Sequence, residues 1–448
     1  MLDINLIRDH PDLVKRDLEK RNQLNKLAWV EEIRRKDTEW KNLVQQVYEL
    51  RHMRNKLSQE ISDLKKQKKD ASAVLKQASE IPKMIQEKED FIRVLEKEVN
   101  DKLMHLPNVL HESVPVGDTE EHNKVIKKFG KAPKFPKGFQ PKSHVDLLQE
   151  KQFADLDRAS KIAGNRFWFL KGELAQLELA IQHYAVAFML KKGYTLLQPP
   201  YMMMKKVYDG VTDLATFNDA IYKIEGEDLY LIATSEHPLI GMFMDEILKE
   251  DEFPIRLVGI SACFRKEAGA HGKDTKGIFR GHQFNKVEQI IICKPQDSWK
   301  YHEEVTKNAI EFFASLGLHF RQVSVCTGDI GTIAAKKYDL ECWMPVQQAY
   351  REVVSASNCT DYQARRLKIR YLGPEGTKIT PHTLNSTCVA TSRLLAAILE
   401  NFQNPEGSVT VPNPLQKYMA GKKRIGQVTE RGKKGSKIKQ KLNKSKKA

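Results

Sequence analysis

The chain's 448 residues, 41% hydrophobic and 29% charged, suit two or three folded domains of about 150 residues each. No run approaches the ~20 apolar residues of a membrane span, and Met1-Leu2-Asp3-Ile4-Asn5 lacks the basic and apolar segments of a secretory signal, so neither a secreted nor a membrane-spanning protein is expected. The net charge of +16 is concentrated at one end: residues 422–448 hold twelve Lys and Arg against one acid, Glu430, or +11, leaving +5 for the rest.

Asp9-His10-Pro11-Asp12 reads as a helix start, with Leu13, Val14 and Leu18 as its apolar face. Residues 30–106 are charged and almost free of Gly and Pro. Ile33, Trp40, Leu43, Val47, Leu50, Leu57, Ile61 and Leu64 follow three- and four-residue steps, interrupted by Lys36 and Arg54. After a polar break at 65–73, a second seam runs Ala78, Ile81, Ile85, Ile92, Leu95, Val99 and Leu106, with Lys88 and Lys102 at seam positions. Two such segments predict an antiparallel helical hairpin, roughly 50–60 Å long at 1.5 Å per residue. Lys65, Lys66, Lys68 and Lys69 cluster near its tip. On pattern alone the arm is structural, protein-binding or nucleic-acid-binding.

Residues 106–142, rich in Pro, Gly and charge, read as a linker with short strands. From about 143 the texture becomes mixed. An amphipathic helix is expected over 173–192, with Leu174, Leu177, Ile181, Tyr184 and Phe188 on one face and Gly193 as its stop. Strand-like runs follow at 229–233, 255–260, 289–293 and 320–325. Their spacing favours an α+β domain around an antiparallel sheet over a doubly wound fold. Neither G-x-G-x-x-G nor G-x-x-x-x-G-K-[ST] occurs, which counts against Rossmann and P-loop nucleotide binding.

Cys263, Cys293, Cys326, Cys342, Cys359 and Cys388 are never closer than 16 residues. That spacing is neither a disulfide framework nor a local zinc site; free thiols in a reducing cytoplasm are expected, and no zinc. The basic tail attracts polyanions or serves as a solubilising or localising extension.

Chemistry concentrates in Arg265-Lys266-Glu267, a glycine-bearing loop at 268–277, and Phe279-Arg280-Gly281-His282-Gln283-Phe284-Asn285-Lys286-Val287-Glu288. Alternation puts Arg265 and Glu267 on one face of a strand, and a returning strand would bring Arg280, Phe284 and Glu288 beside them. Arginines clamp phosphates, a ring stacks on a base and carboxylates read amino groups. A cross-strand salt-bridge ladder explains any single Arg–Glu pair more simply.

The whole segment resembles motif 2 of the seryl-tRNA synthetases, class II aminoacyl-tRNA synthetases, of the cytosolic eukaryotic-like type. Gly193-Tyr194 through Pro199-Pro200 is similar to motif 1, a dimer interface in the family. Thr234-Ser235-Glu236 is similar to the T-x-E serine loop. Glu352-Val353-Val354-Ser355 and Asn358-Cys359-Thr360-Asp361-Tyr362-Gln363 through Arg365-Arg366 resemble the ATP-site strand and following loop. Leu384-Asn385-Ser386-Thr387 through Arg393, then Ala397-Ile398-Leu399-Glu400-Asn401, resemble motif 3, although Cys388, Ala390, Thr391 and Ser392 stand where that motif is glycine-rich. The resemblance covers about 1–420. It implies a tRNA-binding N-terminal domain at 1–105 with an arm at about 30–104, a linker at 106–142, a catalytic domain at 143–420 and a separate basic tail at 421–448.

What the resemblance further implies is a cytoplasmic, homodimeric serine–tRNA ligase. It would join L-serine to ATP as seryl-adenylate, then transfer the seryl group to tRNA(Ser) held through the arm; the family leaves tRNA(Sec) open as a second substrate. Arg265, Glu267 and Arg393 would be the catalytic set. Thr234, Ser235, Glu236, Arg265, Glu288, Asn385 and Thr387 would bind serine. Arg265, Lys266, Glu267, Arg280, Gly281, His282, Gln283, Phe284, Glu352, Val353, Val354, Ser355 and Arg393 would bind ATP, with Phe284 and Arg393 sandwiching adenine. Glu352 and Ser355 would hold Mg²⁺. The alternatives are a paralogue loading a non-tRNA carrier and an inactive nucleic-acid-binding protein.

Overall fold

The computed structural model describes residues 1–212, 218–267 and 276–427; most of the glycine-bearing loop and most of the basic tail lie outside the described residues. The chain divides into two compact units, Met1–Leu110 and the part from His111 onward.

In the first unit, α1 (Ile4–Asp9) is capped by Asp3, whose side chain accepts from the Asn5 amide at 2.9 Å, and α2 (Pro11–Lys20) starts on a proline. The hairpin is α3 (Leu27–Lys66) and α4 (Ser72–His105). At 40 residues, α3 is about 60 Å long. Its base is anchored in a small core where Val30, Ile33, Val99 and Leu103 meet Leu2, Ile7, Val14 and Leu18. Farther along, Val47 packs on Ile81 and Ile85. The lysines that interrupt the seam find partners. Lys36 reaches Glu32 and Glu98, both at 2.9 Å, Lys102 reaches Glu32 at 2.9 Å, and Lys88 donates to Gln46 at 2.6 Å. Long lysine stems thus cover the apolar stripe while their charges bridge the helices.

The second unit is built on an eight-stranded sheet. Its strands are β1 (Lys124–Phe129), β2 (Thr195–Leu197), β3 (Ile255–Phe264), β4 (Gln283–Cys293), β5 (Phe320–Ser324), β6 (Lys336–Met344), β7 (Ala349–Asn358) and β8 (His382–Ala390), in spatial order β1-β5-β6-β7-β8-β4-β3-β2. Every neighbouring pair is antiparallel except β2 with β3. Within the stretch expected as a linker, Lys124–Phe129 is the lysine-bearing edge strand of this sheet.

The principal helices are α5 (Gly172–Lys191), α6 (Glu236–Gly241), α7 (Ser298–Ser315), α8 (Tyr362–Arg366) and α9 (Thr391–Asn401). Alternation along β4 divides its environment. Val287, Ile291 and Cys293 enter the main core with Leu177, Phe312 and Leu395 from α5, α7 and α9. Ile290 and Ile292 enter a second core with Tyr208, Leu239 and Ile240. On that second face, Phe284, Lys286 and Glu288 continue the row and form the floor of a cleft.

Candidate active site

The cleft has a volume of about 600 Å³. Its first wall comes from the β3–β4 hairpin. The strand expected to carry Arg265 and Glu267 ends earlier, at Phe264. Beyond it, the Arg265 amide donates to the His282 carbonyl at 2.9 Å, and the His282 ring lies 2.8 Å from the Arg265 carbonyl through Nδ1. The Lys266 amide then turns to Ala220 at 2.8 Å, and Glu267 adopts φ +50°. A left-handed residue, not strand alternation, therefore sets the direction of Glu267. Arg265 and Glu267 still both line the cleft. Arg280 reaches Glu267 at 3.3 Å, and the Arg265 guanidinium lies 5.4 Å over the Phe284 ring while Nε donates to the Ala233 carbonyl at 3.2 Å.

The Thr234-Ser235-Glu236 loop lies directly on β3 because residue 259 is glycine: a Cβ there would stand 2.5 Å from Leu239 and 3.0 Å from Ser235. Thr234 and Glu236 line the cleft, whereas Ser235 is fully buried against Gly259 and does not. Lys266, His282, Gln283 and Val354 also lie outside the lining; Lys266 sits over Tyr222 and His282 ties the hairpin base.

A β-bulge shapes the opposite wall. In the pairing of β6 with β7, Leu340 faces Val354 and Glu341 faces Glu352, so Val353 is the extra residue. Strict alternation would put Glu352 and Ser355 on opposite faces; the bulge lets both line the cleft, with Val353 between them. Asn385 donates to the Cys359 sulfur at 3.6 Å, and Thr387 stands opposite Glu288 in register. After Thr387, Cys388 is a second bulge, and no residue from His382 to Asn401 takes positive φ. The glycine-poor stretch therefore requires only small side chains. Thr391 opens α9 with its hydroxyl 2.8 Å from Glu178, and Arg393 reaches Glu352 at 3.0 Å while lying 5.4 Å over Phe279. Gly281 completes the set of expected residues in the lining.

Four residues for which the sequence suggested no specific role shape this chemistry. Lys286 is buried and ion-paired to Glu288 at 2.6 Å; its same-face spacing from Glu288 was the available signal. Gln363 donates to Glu236 at 2.9 Å. Phe279 supports Arg393, and Asp339 stands opposite Ser355. Burial, then the charge of Glu288, raises the Glu236 carboxyl to about 7 against the pull of Gln363, Lys286 and Arg265. Burial and the same two cations lower His237 to about 3. At Glu352 burial acts upward, but Arg393, Lys337 and Arg265 together outweigh it and hold the carboxyl below its ordinary value. Burial, then Glu236, pushes the Cys359 thiol well up, so this cysteine lines the cleft as a neutral group.

Residues 220–402 match the model of the tRNA synthetase class II core domain (G, H, P, S and T), and residues 1–110 match the seryl-tRNA synthetase N-terminal domain. The serine–tRNA ligase of Methanocella arvoryzae is 51% identical over 423 residues, spanning 94% of this chain and 99% of that protein. That of Pyrococcus horikoshii is 48% identical over 438 residues, spanning 93% and 96%. Among solved structures, the P. horikoshii seryl-tRNA synthetase complexed with ATP matches with TM-score 0.92 at 47% identity, over 96% of this chain and all of that one. The cytoplasmic serine–tRNA ligase of Naegleria fowleri in complex with AMP matches with TM-score 0.86 at 35% identity, over 95% and 98%. Identity is thus higher to the Methanocella and Pyrococcus enzymes than to the Naegleria one. With both domain models matched and half the residues shared with enzymes of nearly the same length, this chain belongs to the seryl-tRNA synthetases and is a class II serine–tRNA ligase.

Proposed function

We propose that this cleft joins L-serine to ATP and that the chain then transfers the seryl group to the 3′ end of tRNA(Ser), working as a cytoplasmic homodimer. The observation that carries the reading is the meeting of two carboxylates, Glu236 and Glu288, with Arg265, Arg280 and Arg393 in one cleft. The carboxylates suit the ammonium and hydroxyl of serine; the arginines suit a triphosphate.

In the first step a serine carboxylate oxygen bonds to the α-phosphorus of ATP and the bond to the β-phosphate oxygen breaks, releasing pyrophosphate. Such a displacement needs alignment and charge neutralisation rather than a protein nucleophile. Arg265 offsets charge at the α-phosphate, Arg280 holds the outer phosphates, Glu267 reads the adenine edge, and Phe284 and Arg393 flank the ring. Thr234, Glu236, Glu288, Asn385 and Thr387 enclose serine. In the second step the terminal tRNA hydroxyl attacks the adenylate carbonyl and AMP leaves.

The oxygen donors at one wall fit a hard dication. Glu352 and Ser355 line the cleft, and Asp339, opposite Ser355, is buried with Oδ1 lacking a hydrogen-bond partner. Mg²⁺ held by Glu352 and Ser355 would supply positive charge to the phosphates.

Lysines along the hairpin and at its tip suit the phosphates of a tRNA arm read by shape. Exposed Leu179, Leu190, Leu196, Met202 and Met204 offer apolar surface for a dimer contact. No helix among the described residues is long and apolar enough to cross a membrane.

Amino-acid-dependent ATP–pyrophosphate exchange, run with each standard amino acid and no tRNA, tests the first half; serylation of a tRNA(Ser) transcript tests the second. Exchange with serine alone is expected. Exchange with a different amino acid, or none from folded protein, would overturn the reading.

A further inference from the structure

Glu236 is gripped from behind by a residue that does not line the cleft. Gln363, on α8, is fully buried. Its Nε2 donates to the Val211 carbonyl at 2.9 Å and to Glu236 Oε1 at 2.9 Å, and its Oε1 accepts from the Thr383 hydroxyl at 2.6 Å. The orientation of this amide follows from its partners. A backbone carbonyl can only accept, so the amide atom facing Val211 must be the NH₂ group. The second hydrogen of that group then points at Glu236, whose Oε1 must accept. That bond takes one lone pair of Oε1 and fixes the plane of the carboxyl, leaving Oε2 clear of Gln363, and Glu236 itself lines the cleft.

We infer that Gln363 is a positioning residue for amino-acid recognition. Oriented by Thr383 and by the Val211 carbonyl, it holds one oxygen of Glu236 as an acceptor and presents the other to the ammonium or hydroxyl of serine. The inference rests on the assignment of Glu236 to the serine site.

The groups acting on Glu236 come from every side of the pocket: Glu288 and Lys286 on β4, Arg265 beyond β3, and Cys359 after β7. Burial and Glu288 favour the protonated carboxyl; Gln363, Lys286 and Arg265 favour the carboxylate. Removing the Gln363 donor therefore weakens serine binding in two ways. The carboxylate loses its fixed orientation, and it ionises only at higher pH.

The test uses the full chain in ATP–pyrophosphate exchange, titrating serine and ATP separately across a pH series. Gln363→Met keeps length and removes both donors. It is expected to raise KM for serine about tenfold or more, leave KM for ATP near wild type, and move the acidic limb of kcat/KM for serine to higher pH. Thr383→Val, which keeps shape and removes only the bond that orients the amide, is expected to act in the same direction by less, and carries the test if Gln363→Met does not fold. A purely packing role would move both KM values together and leave the limb in place, and that result would overturn the inference. Glu236→Gln is measured in parallel. If it leaves KM for serine unchanged, the serine-site assignment and this inference fall together. If it raises KM for serine while Gln363→Met and Thr383→Val do not, only the role of Gln363 falls.

Discussion

Glu288→Gln separates serine recognition from ATP recognition most cleanly. Glu288 is 1% exposed, stands opposite Thr387 and is paired to Lys286 at 2.6 Å. An alanine there would strand a buried lysine, at a cost of about 3–5 kcal/mol in stability. Glutamine keeps the shape and an oxygen for Lys286, so the loss is confined to charge. In the proposed role of Glu288 as a partner of the serine ammonium, exchanging the carboxyl for a neutral amide costs about 1.5–3 kcal/mol of binding, or roughly 10- to 150-fold in KM for serine. The phosphate contacts proposed for Arg265 and Arg280 do not depend on that charge, so KM for ATP should stay near wild type.

A second signature has a definite sign. Below its pKa, Glu236 is a neutral acid and a poor acceptor for the ammonium, so kcat/KM for serine falls as pH drops through about 7. After burial, Glu288 is the largest influence raising that value; its neutralisation lowers it and extends the activity plateau to lower pH, opposite to the shift expected for Gln363→Met. Serine and ATP titrations by pyrophosphate exchange across pH measure both effects. Parallel increases in the two KM values, or a limb that moves to higher pH, would refute the assignment.

Shortening the arm by replacing residues 47–87 with a tight turn spares the base core of Val30, Ile33, Val99 and Leu103; exchange should survive and serylation of tRNA should be lost, and full serylation would count against the arm as the tRNA reader. Arg393→Gln removes the largest influence holding Glu352 low, so KM for ATP should rise more than KM for serine in the same assay; a change confined to serine would contradict the ATP-side role. Gly281→Ala would put a Cβ 2.1 Å from the Trp168 ring and 3.0 Å from the Arg166 carbonyl. The backbone between Arg280 and Phe284 must then shift, with about 1–3 kcal/mol lost from the thermal unfolding free energy and on the order of 10²-fold from the exchange rate; unchanged exchange would show that the approach to Trp168 is dispensable.

The arm was legible because a 3.5-residue seam needs only its own two segments, and the lysines breaking that seam are explained by partners on the facing helix. The sheet was legible where strands are apolar throughout, as at Ile290-Ile291-Ile292. It was obscured where function intrudes. Hydrophobicity alone marks only 289–293 of β4, because Phe284, Lys286 and Glu288 face the cleft and break the run before it; that half was legible as the returning strand of the hairpin, and it starts at Gln283, after Arg280. The short strands expected in the linker include Lys124–Phe129, but its lysines hid that it joins the main sheet, where an edge position favours that composition. The convergence of Glu352 with Ser355 depends on a bulge, which leaves no mark in side-chain spacing. Gln363 stands among charged residues in a short helix; only its contacts with Val211, Glu236 and Thr383, distant in sequence, reveal its burial.

The reading of the cleft as a serine site requires that it recognise the substrate hydroxyl. Calorimetric titration of the chain with a non-hydrolysable seryl-adenylate analogue and with its alanyl counterpart measures this directly, without turnover. Because buried partners would be left unpaired, the alanyl analogue should bind more weakly by roughly 10⁴-fold. Affinities within about tenfold of each other, the range that one contact in an apolar pocket provides, would contradict recognition of the serine hydroxyl by this cleft.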